Sequence, residues 1–374
     1  MEFGQSLVVF SPSPSSLVVL NSTACLIWKM LSRGQESETI AQQLSSHFNI
    51  ALERAKCDVE SVAQLWKTSD LPKGAFSNAT PKAPPLDPII LEPDRQSLSQ
   101  RTYALADAPF SIDFYSSEIE AIIQAVLGNR EFSVATKPSD SFEVTIDESD
   151  YCLTKNGVEV ARENSPHSLR HALIYEASKS SYPDSQWLIF LHAGAVSDGK
   201  RCVLMPGLPG CGKSTLTAAL ALEGFHYVCE DIAPVTRNTW SVASVRTRIC
   251  LREGGWMALK QKYPDLETVR GGRRWGNQLR YLTPAVNEKE LTRLPVHCIV
   301  FPEYTPEAAF QLSPITSEEK LARLLQTGAW FSDPQDEERI KELLAWIQAT
   351  PGYQLRYRDF EEAKASINNL MSNE

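Results

Sequence analysis

The sequence predicts an α/β protein in which a small winged-helix-like α+β domain precedes a larger domain of strands and helices. Two observations favour this fold class. Residues 207–215 read GLPGCGKST and lie between an apolar run that suits a buried strand and a run that suits a helix. Residues 1–71 carry a hairpin pattern followed by three amphipathic helical patterns. The 374 residues are 43% hydrophobic, which is enough for a core in each domain.

The first predicted domain covers residues 1–71. Two short apolar strands, 6–10 and 17–20, flank the turn-rich sequence SPSPSS. The polar residues Asn21, Ser22 and Thr23 then favour the start of a helix. Apolar residues recur at helical spacing in three segments: Leu26, Ile27, Met30 and Leu31; Ile40, Leu44 and Phe48; and Val59, Val62, Leu65 and Trp66. Three amphipathic helices and a hairpin predict a winged-helix-like module.

The second predicted domain covers residues 101–374, after a linker at 72–100. The linker contains six prolines and little periodicity, which disfavours both helices and central strands. Beyond it, the pattern predicts helices over 118–127, 168–178, 317–325, 336–349 and 360–370, and strands over 142–146, 187–191, 227–229, 296–301 and 354–357.

The segment GLPGCGKST matches the phosphate-loop pattern GxxxxGK[ST]. Glycines allow backbone N–H groups to surround phosphates, and the following helix adds positive potential. Lys213 is predicted to reach the outer phosphates and Ser214 to bind Mg²⁺. The alternative is a glycine-rich turn that matches by chance. The predicted nucleotide-binding residues are Gly207, Leu208, Pro209, Gly210, Cys211, Gly212, Lys213, Ser214 and Thr215.

Two adjacent acids, Glu230 and Asp231, close the short apolar segment GFHYVCED after the phosphate-loop helix. A right-handed crossover from the phosphate-loop strand would return them to Lys213. One acid could then bind the metal and the other could orient an acceptor. A solvent-exposed acidic strand end is the alternative.

His192 precedes the phosphate-loop strand in the sequence LHAGAV. A histidine there could contact phosphates or orient an acid, but a buried structural histidine is an equal alternative.

The segment VRGGRRWGNQLRY contains four arginines, Arg270, Arg273, Arg274 and Arg280, among glycines. It is predicted to be a mobile basic loop that closes over a triphosphate or an acidic substrate. A solvated loop without that function remains the alternative.

Composition argues against several classes of protein. The formal net charge of −9 disfavours binding to nucleic acid and to anionic membranes. The eight cysteines include no CxxC pair, so neither disulfides nor zinc are expected. The sequence contains no apolar window of transmembrane length and no basic signal-peptide region, which predicts a cytoplasmic location.

With these residues in hand, the C-terminal two thirds resembles the HPr kinase/phosphorylase superfamily, more closely its HPr-kinase-related branch. The resemblance rests on His192 in LHAGAV, the phosphate loop 207–214, and the acidic pair 230–231; the later segments RYLTP and HCIVFPEYTPEAAF also resemble that branch. It implies a P-loop kinase domain of HPr-kinase type that uses ATP and Mg²⁺.

The resemblance also implies roles for individual residues. Lys213 would contact the phosphates, Ser214 and Asp231 would hold Mg²⁺, Glu230 would face the acceptor hydroxyl, and His192 would lie in the active site. The founding enzymes have two aspartates where this chain has Glu230 and Asp231, so the division of roles between the two acids is open. The glycine-rich signature of the bifunctional enzymes is absent after the acidic pair, which argues against phosphorylase activity and against HPr as the substrate.

The N-terminal domain resembles PqqD-like domains through VVLNSTACLIWKMLSRGQESETIAQQL. This resemblance implies binding of the leader part of a ribosomally made precursor peptide, by strand addition to a sheet edge. A degenerate, purely structural domain is the alternative.

Together these features predict an ATP- and Mg²⁺-dependent serine kinase that phosphorylates a peptide or small protein. A kinase for free serine and a non-catalytic, nucleotide-gated peptide-binding protein are the two alternatives. A homo-oligomer is left open.

Overall fold

A computed structural model of the protein describes residues 1–4, 6–12, 15–20, 22–31, 33–68, 97–106, 108–131, 137–147, 150–182, 185–269, 271–274, 277–285, 293–331 and 336–372. The helices in these ranges are α1 Ser22–Leu31, α2 Ser37–Phe48, α3 Leu52–Thr68, α4 Ser117–Leu127, α5 Pro166–Ser181, α6 Lys213–Leu222, α7 Glu253–Leu259, α8 Ser317–Thr327, α9 Glu337–Ala349 and α10 Phe360–Ser372.

The strands are numbered along the chain in the same way. They are β1 Glu2–Phe3, β2 Ser6–Pro12, β3 Ser15–Leu20, β4 Ser99–Ala104, β5 Pro109–Phe114, β6 Asp140–Asp147, β7 Asp150–Lys155, β8 Val158–Glu163, β9 Trp187–Leu191, β10 Ala193–Ser197, β11 Cys202–Pro206, β12 His226–Cys229, β13 Ala233–Thr236, β14 Ser241–Ala243, β15 Ile249–Arg252, β16 Gly271–Arg274, β17 Asn277–Leu282, β18 Arg293–Tyr304, β19 Gln311–Pro314, β20 Ala329–Trp330 and β21 Gly352–Tyr357. The predicted α/β class is confirmed.

One compact unit consists of residues 1–84, 316–322 and 333–348. In it β1, β2 and β3 form an antiparallel sheet, as the hairpin pattern predicts. The three predicted helices are present, and they bury a common core of Ile27, Ile40, Ala41, Leu44, Ala55, Val59 and Val62. Phe48 was predicted to join that core but is 39% exposed, because α2 ends there and Asn49 turns the chain in the left-handed conformation. The side chains of Leu65 and Trp66 lie outside the described residues.

A second compact unit consists of residues 85–315, 323–332 and 349–374. Its main sheet has the strand order β12-β10-β11-β18-β14-β13-β9-β20, and β21 pairs with both β18 and β19. Strands β11, β18 and β21 run parallel to one another. Helices α6 and α10 pack on this region through a core that includes Val203, Leu216, Val300, Tyr357 and Ile367.

The carboxyl ends of four strands lie along the same edge of the main sheet, the edge that runs across the strands. The parallel strands β11, β18 and β21 all end there. Strand β10 is antiparallel to both β11 and β12, so β12 runs in the same direction as β11 and also ends at this edge. Helix α6 connects the parallel strands β11 and β12, but β10 lies between these strands in the sheet, so they are not neighbours. Ligands of open α/β sheets bind at this kind of edge.

The predicted basic loop is instead a β-hairpin. Gly271 pairs with Arg280 and Arg274 with Asn277, and β15 completes a three-stranded sheet. The prediction relied on glycine content and overlooked that NQLRYL alternates as a strand does. In its described residues the segment is therefore a pair of strands and not the irregular loop that the sequence predicts.

The remaining sheet of the second unit has the order β4-β5-β6-β7-β8. Its first strand starts at Ser99, inside the predicted linker, because Ser99–Ala104 pairs along its whole length with β5. Residues 72–96 of the predicted linker lie outside the described part of the chain. Among the described residues, no helix has both the length and the apolar character that crossing a membrane requires.

Candidate active site

The predicted phosphate loop connects the buried strand β11 to the N-terminus of α6. Gly210 and Gly212 have φ values of +95° and +92°, which L side chains rarely adopt. At Gly212 a Cβ would also lie 2.8 Å from Tyr357 Oη and 2.9 Å from Tyr304 Cβ. Glycine at 212 therefore satisfies both a backbone requirement and a space requirement.

Lys213 and Ser214, the first two residues of α6, contact the first acid of the pair. Lys213 Nζ lies 3.1 Å from Glu230 Oε1, and Ser214 Oγ donates to the same oxygen at 2.5 Å. Lys213 and Glu230 are only 5% and 2% exposed, so this cluster is buried. Lys213 and Ser214 are 17 and 16 residues from Glu230 in the sequence, and the crossover from β11 to β12 brings them into contact with it.

Asp231 also lies near Lys213, but most of its contacts come from other elements. Arg170 Nη2 of α5 donates to Asp231 Oδ2 at 3.1 Å, and His171 Nε2 lies 3.7 Å from that oxygen. His192 Nε2 and Lys213 Nζ each lie 3.8 Å from Asp231 Oδ1. Two histidines, an arginine and a lysine therefore surround one carboxylate.

The backbone at Asp231 is held in an uncommon conformation. Its φ is +69°, and Ile232 N donates to Glu230 O at 2.9 Å across it, so residues 230–232 form a three-residue turn. Such conformations cost free energy and are enriched at functional sites. The turn directs the two adjacent carboxylates to different partners.

The two acids have opposite pKa shifts. Burial raises the pKa of Glu230, and the neighbouring charge of Asp231 adds to this effect against the opposing attraction of Lys213. Burial also acts to raise the pKa of Asp231, but the hydrogen bond from His171 and the charges of Lys213 and Arg170 outweigh it, so that pKa is well below the usual range. Perturbed carboxyl pairs of this kind are typical of catalytic sites.

His192 is a neutral imidazole at pH 7. Burial, with the nearby charge of Lys213, lowers its pKa to about 4, although Asp231 acts in the opposite direction. It lies between β9 and β10, where its backbone N–H donates to Gly328 O at 3.0 Å. Its ring therefore faces the acidic pair, and the alternative of a purely buried core histidine is less consistent with these contacts.

Sequence analysis missed Arg170 and His171. They belong to PHSLRHAL, where His167, Arg170 and His171 recur at i, i+3 and i+4 on one face of α5. The sequence signal for a site on this helix was therefore one guanidinium and two imidazole side chains on the same helical face. Arg170 is only 4% exposed, which is rare for an arginine that serves only as a surface charge.

Of the four arginines of the predicted basic loop, Arg280 is the one whose side chain the structure describes, and its described contacts lie outside this cluster. Arg280 Cζ lies 4.6 Å from the centre of the Trp256 ring and its Nη1 donates to Leu279 O. Arg273 and Arg274 are described as backbone only, and Arg270 lies outside the described residues.

Three comparisons with known proteins bear on the two units. Residues 6–71 match the family model described as coenzyme PQQ synthesis protein D (PqqD). The N-terminal segment is therefore similar to PqqD. The predicted resemblance of this segment is confirmed, and the hairpin with α1, α2 and α3 is the PqqD-like domain. A search of curated proteins found no match.

Among solved structures, the Hpr(Ser) kinase/phosphatase from Coxiella burnetii is similar at 12% sequence identity. The match covers 48% of this chain and 90% of that chain, with a TM-score of 0.25. At this TM-score the two chains superpose too poorly for residue roles to be transferred. The chemistry of the site therefore follows from its own contacts.

Proposed function

We propose that this protein is an ATP- and Mg²⁺-dependent serine kinase whose acceptor is a peptide or small protein. The observation that carries the proposal is the convergence of Lys213, Ser214, Glu230 and Asp231, through contacts of 2.5 to 3.8 Å, at the N-terminus of α6. A helix N-terminus, an ammonium group, a hydroxyl and two carboxylates are the groups that phosphoryl transfer from a nucleotide requires.

The loop before α6 suits a triphosphate. The first N–H groups of a helix have no acceptor within it, and the helix dipole favours an anion there. The glycines at 210 and 212 keep side chains away from this surface. Within the described ranges no group of three or more His, Cys, Asp or Glu is arranged to hold a metal alone. Mg²⁺ in nucleotide sites is typically bound through one or two protein groups plus substrate phosphates, so Ser214 and one carboxylate suffice.

The contacts favour a division of roles that reverses the one implied by the family resemblance. Ser214 donates to Glu230 and not to Asp231, so Glu230 is the acid beside the hydroxyl expected to bind the metal. Asp231 is more exposed, with 17% of its side chain accessible, against 2% for Glu230. We therefore assign Glu230 to the Mg²⁺ side of the site and Asp231 to the acceptor side. Bound Mg²⁺ would neutralise charge on the phosphate oxygens.

The transfer step then uses the residues around Asp231. Asp231 orients the serine hydroxyl, a bond forms between the serine oxygen and the γ-phosphorus, and the bond from that phosphorus to the bridging oxygen breaks. The low pKa of Asp231 makes its carboxylate a weak proton acceptor, so the hydroxyl proton passes to an oxygen of the transferred phosphoryl group. Lys213 stabilises the charge that develops on the phosphate oxygens, while Arg170 and the neutral His192 hold Asp231 in position.

The PqqD-like domain supports a peptide acceptor over free serine. Its resemblance implies capture of an extended peptide at a sheet edge, and main-chain hydrogen bonds supply affinity in that mode. The edge strands of its sheet are β1 and β3, since β2 lies between them. A ribosomally made precursor peptide is the acceptor this arrangement suits best.

Mass spectrometry of candidate acceptors tests the proposal. Precursor peptides encoded beside this gene, and free serine, are incubated with the full-length protein, ATP and Mg²⁺. We expect one phosphate on a peptide serine, and no such product with Asp231→Asn, whose side chain keeps the shape and also tolerates positive φ. Phosphorylation of free serine alone would favour the small-molecule kinase. Tight ATP binding with no phosphorylated acceptor would favour the nucleotide-gated binding protein.

A further inference from the structure

Three aromatic side chains lie beside the phosphate loop, on the side away from the acidic pair. Tyr304 ends β18, Tyr357 ends β21, and Phe360 begins α10. The Tyr304 and Phe360 rings are nearly parallel, with 6.3 Å between centroids and 7° between planes. Tyr357 lies against both, at 5.6 Å and 5.9 Å. We call these three residues the aromatic platform.

The aromatic platform is joined directly to the phosphate loop. Tyr304 N donates to Cys211 O at 3.0 Å, and Tyr357 Oη donates to Gly212 O at 3.4 Å. The absent side chain of Gly212 leaves room for the Cβ of Tyr304. Because β18 and β21 continue the sheet beyond β11, and β12 lies on its other side, the platform and the acidic pair flank the loop from opposite sides.

One member of the platform is open to solvent. Tyr357 is fully buried, whereas Tyr304 is 40% exposed although it ends a central strand. Tyr304 is supported by two rings and still presents aromatic surface next to a phosphate-binding loop.

We propose that the exposed Tyr304 ring is the binding surface for the base of the nucleotide. This inference rests on the proposed nucleotide-binding function and specifies how the rest of the nucleotide is bound. The triphosphate lies on the loop with its γ end toward Glu230 and Asp231, so the nucleoside extends the other way, toward β18 and β21. Stacking depends on ring area more than on hydrogen-bond pattern, so adenine and guanine are bound with similar affinity.

Isothermal titration calorimetry with two ligands tests this assignment on the full-length protein. ATP carries the base, and inorganic tripolyphosphate carries the same phosphates without it. Tyr304→Leu keeps apolar bulk against Phe360 but removes the ring. We expect it to weaken ATP binding about tenfold and to leave tripolyphosphate binding within about twofold. Phe310→Ala, at a similarly exposed aromatic outside the platform, is the matched control and should change neither affinity.

Each other outcome overturns the assignment. If Tyr304→Leu weakens both ligands equally, Tyr304 supports the loop and does not bind the base. If the wild-type protein binds tripolyphosphate as tightly as ATP, no base site exists. If the wild-type protein binds neither ligand, the proposed nucleotide-dependent function fails as well. If it binds both ligands but shows no preference for ATP, only the assignment of the platform fails.

Discussion

At the scale of single residues, the adjacent acids Glu230 and Asp231 have the most informative geometry. They share Lys213, but their other neighbours differ: Glu230 contacts Ser214, whereas Asp231 contacts Arg170 and lies near His171 and His192. Two chemically similar side chains therefore occupy two different environments. Separate environments for paired carboxyl groups allow separate roles at one pH.

This separation predicts that neutralising the two acids has different consequences. Glu230→Gln should remove most of the gain in ATP affinity that Mg²⁺ provides, because the oxygen beside Ser214 loses its charge. Asp231→Asn should keep that gain and lower kcat by about 10²- to 10⁴-fold. ATP affinity measured with Mg²⁺ and with EDTA, together with phosphorylation rates, checks both. The opposite pattern would restore the roles implied by the family resemblance.

The glycines of the phosphate loop provide a second residue-scale prediction. Gly210→Ala and Gly212→Ala both place a side chain at positive φ, at a cost of about 1 to 2 kcal/mol. Nothing lies within 4 Å of a Cβ at 210, whereas a Cβ at 212 meets Tyr304 and Tyr357. Gly212→Ala should therefore lower the melting temperature more and weaken ATP binding more than Gly210→Ala. Equal effects of the two substitutions in thermal melts and titrations would mean that the rings of Tyr304 and Tyr357 move aside without a loss of stability.

At the scale of elements, α7 comes very close to the first turn of α6 at Gly255 and Thr215. A Cβ added at Gly255 would overlap the Thr215 hydroxyl, whereas nothing lies within 4 Å of one added at the adjacent Gly254. Thr215 belongs to the predicted nucleotide-binding segment. The packing of α7 against α6 thus depends on a missing side chain.

The two neighbouring glycines of α7 form a matched pair. Gly254→Ala should leave stability unchanged or raise it by up to about 1 kcal/mol, because alanine is the better helix former. Gly255→Ala should destabilise the protein by about 1 to 3 kcal/mol through overpacking and should weaken ATP binding. Chemical denaturation and titration of both variants check this. An ATP affinity unchanged in Gly255→Ala would show that α7 does not position the loop.

Elements with strong local patterns could be predicted from the sequence, and contacts between distant elements could not. The three N-terminal helices, α4 and the helices of the C-terminal segments follow apolar periodicity, so their existence was predictable. The hairpin of β16 and β17 was missed, because glycine and arginine content outweighed alternation. The insertion of β10 between β11 and β12 depends on pairing between strands, which local pattern does not encode.

The candidate site also contains residues that the sequence predicts and residues that it does not. Lys213 and Ser214 belong to the phosphate-loop pattern, and Glu230 and Asp231 end the next apolar strand pattern, so their convergence was predictable. Arg170 and His171 are separated from Asp231 by about 60 residues of sequence, as the separation of 61 for Arg170 shows. Only the tertiary fold, which brings α5 close to the turn after β12, makes them neighbours. The sequence likewise did not distinguish Tyr304 and Tyr357 from other strand residues. The parallel pairing of β18 and β21 places them next to each other.

At the scale of the whole molecule, the chain divides into a unit that contains the PqqD-like domain and a unit that contains the candidate active site. The first unit also includes residues 316–322 and 333–348, which are far from it in sequence. The last segment contains most of α9. The unit is therefore not continuous along the chain, and a simple N-terminal truncation would remove only part of it.

A core substitution tests this division better than a truncation does. Ile40 is fully buried in the first unit, so Ile40→Ala should destabilise that unit by about 2 to 5 kcal/mol. Hydrogen exchange measured by mass spectrometry should then increase in residues 22–68 and 336–348 together. Exchange in residues 187–236 and the affinity for ATP should stay unchanged. Increased exchange throughout the chain would show that the two units unfold as one.

The positive φ of Asp231 also limits which residues this position can accept, independently of catalysis. Asparagine and glycine can adopt that conformation at low cost, whereas β-branched residues cannot. In a saturation library scored only for the abundance of folded protein, position 231 should therefore tolerate Asn and Gly and reject Val and Ile. Comparing that library with one scored for activity would separate the demands of the backbone from those of the reaction.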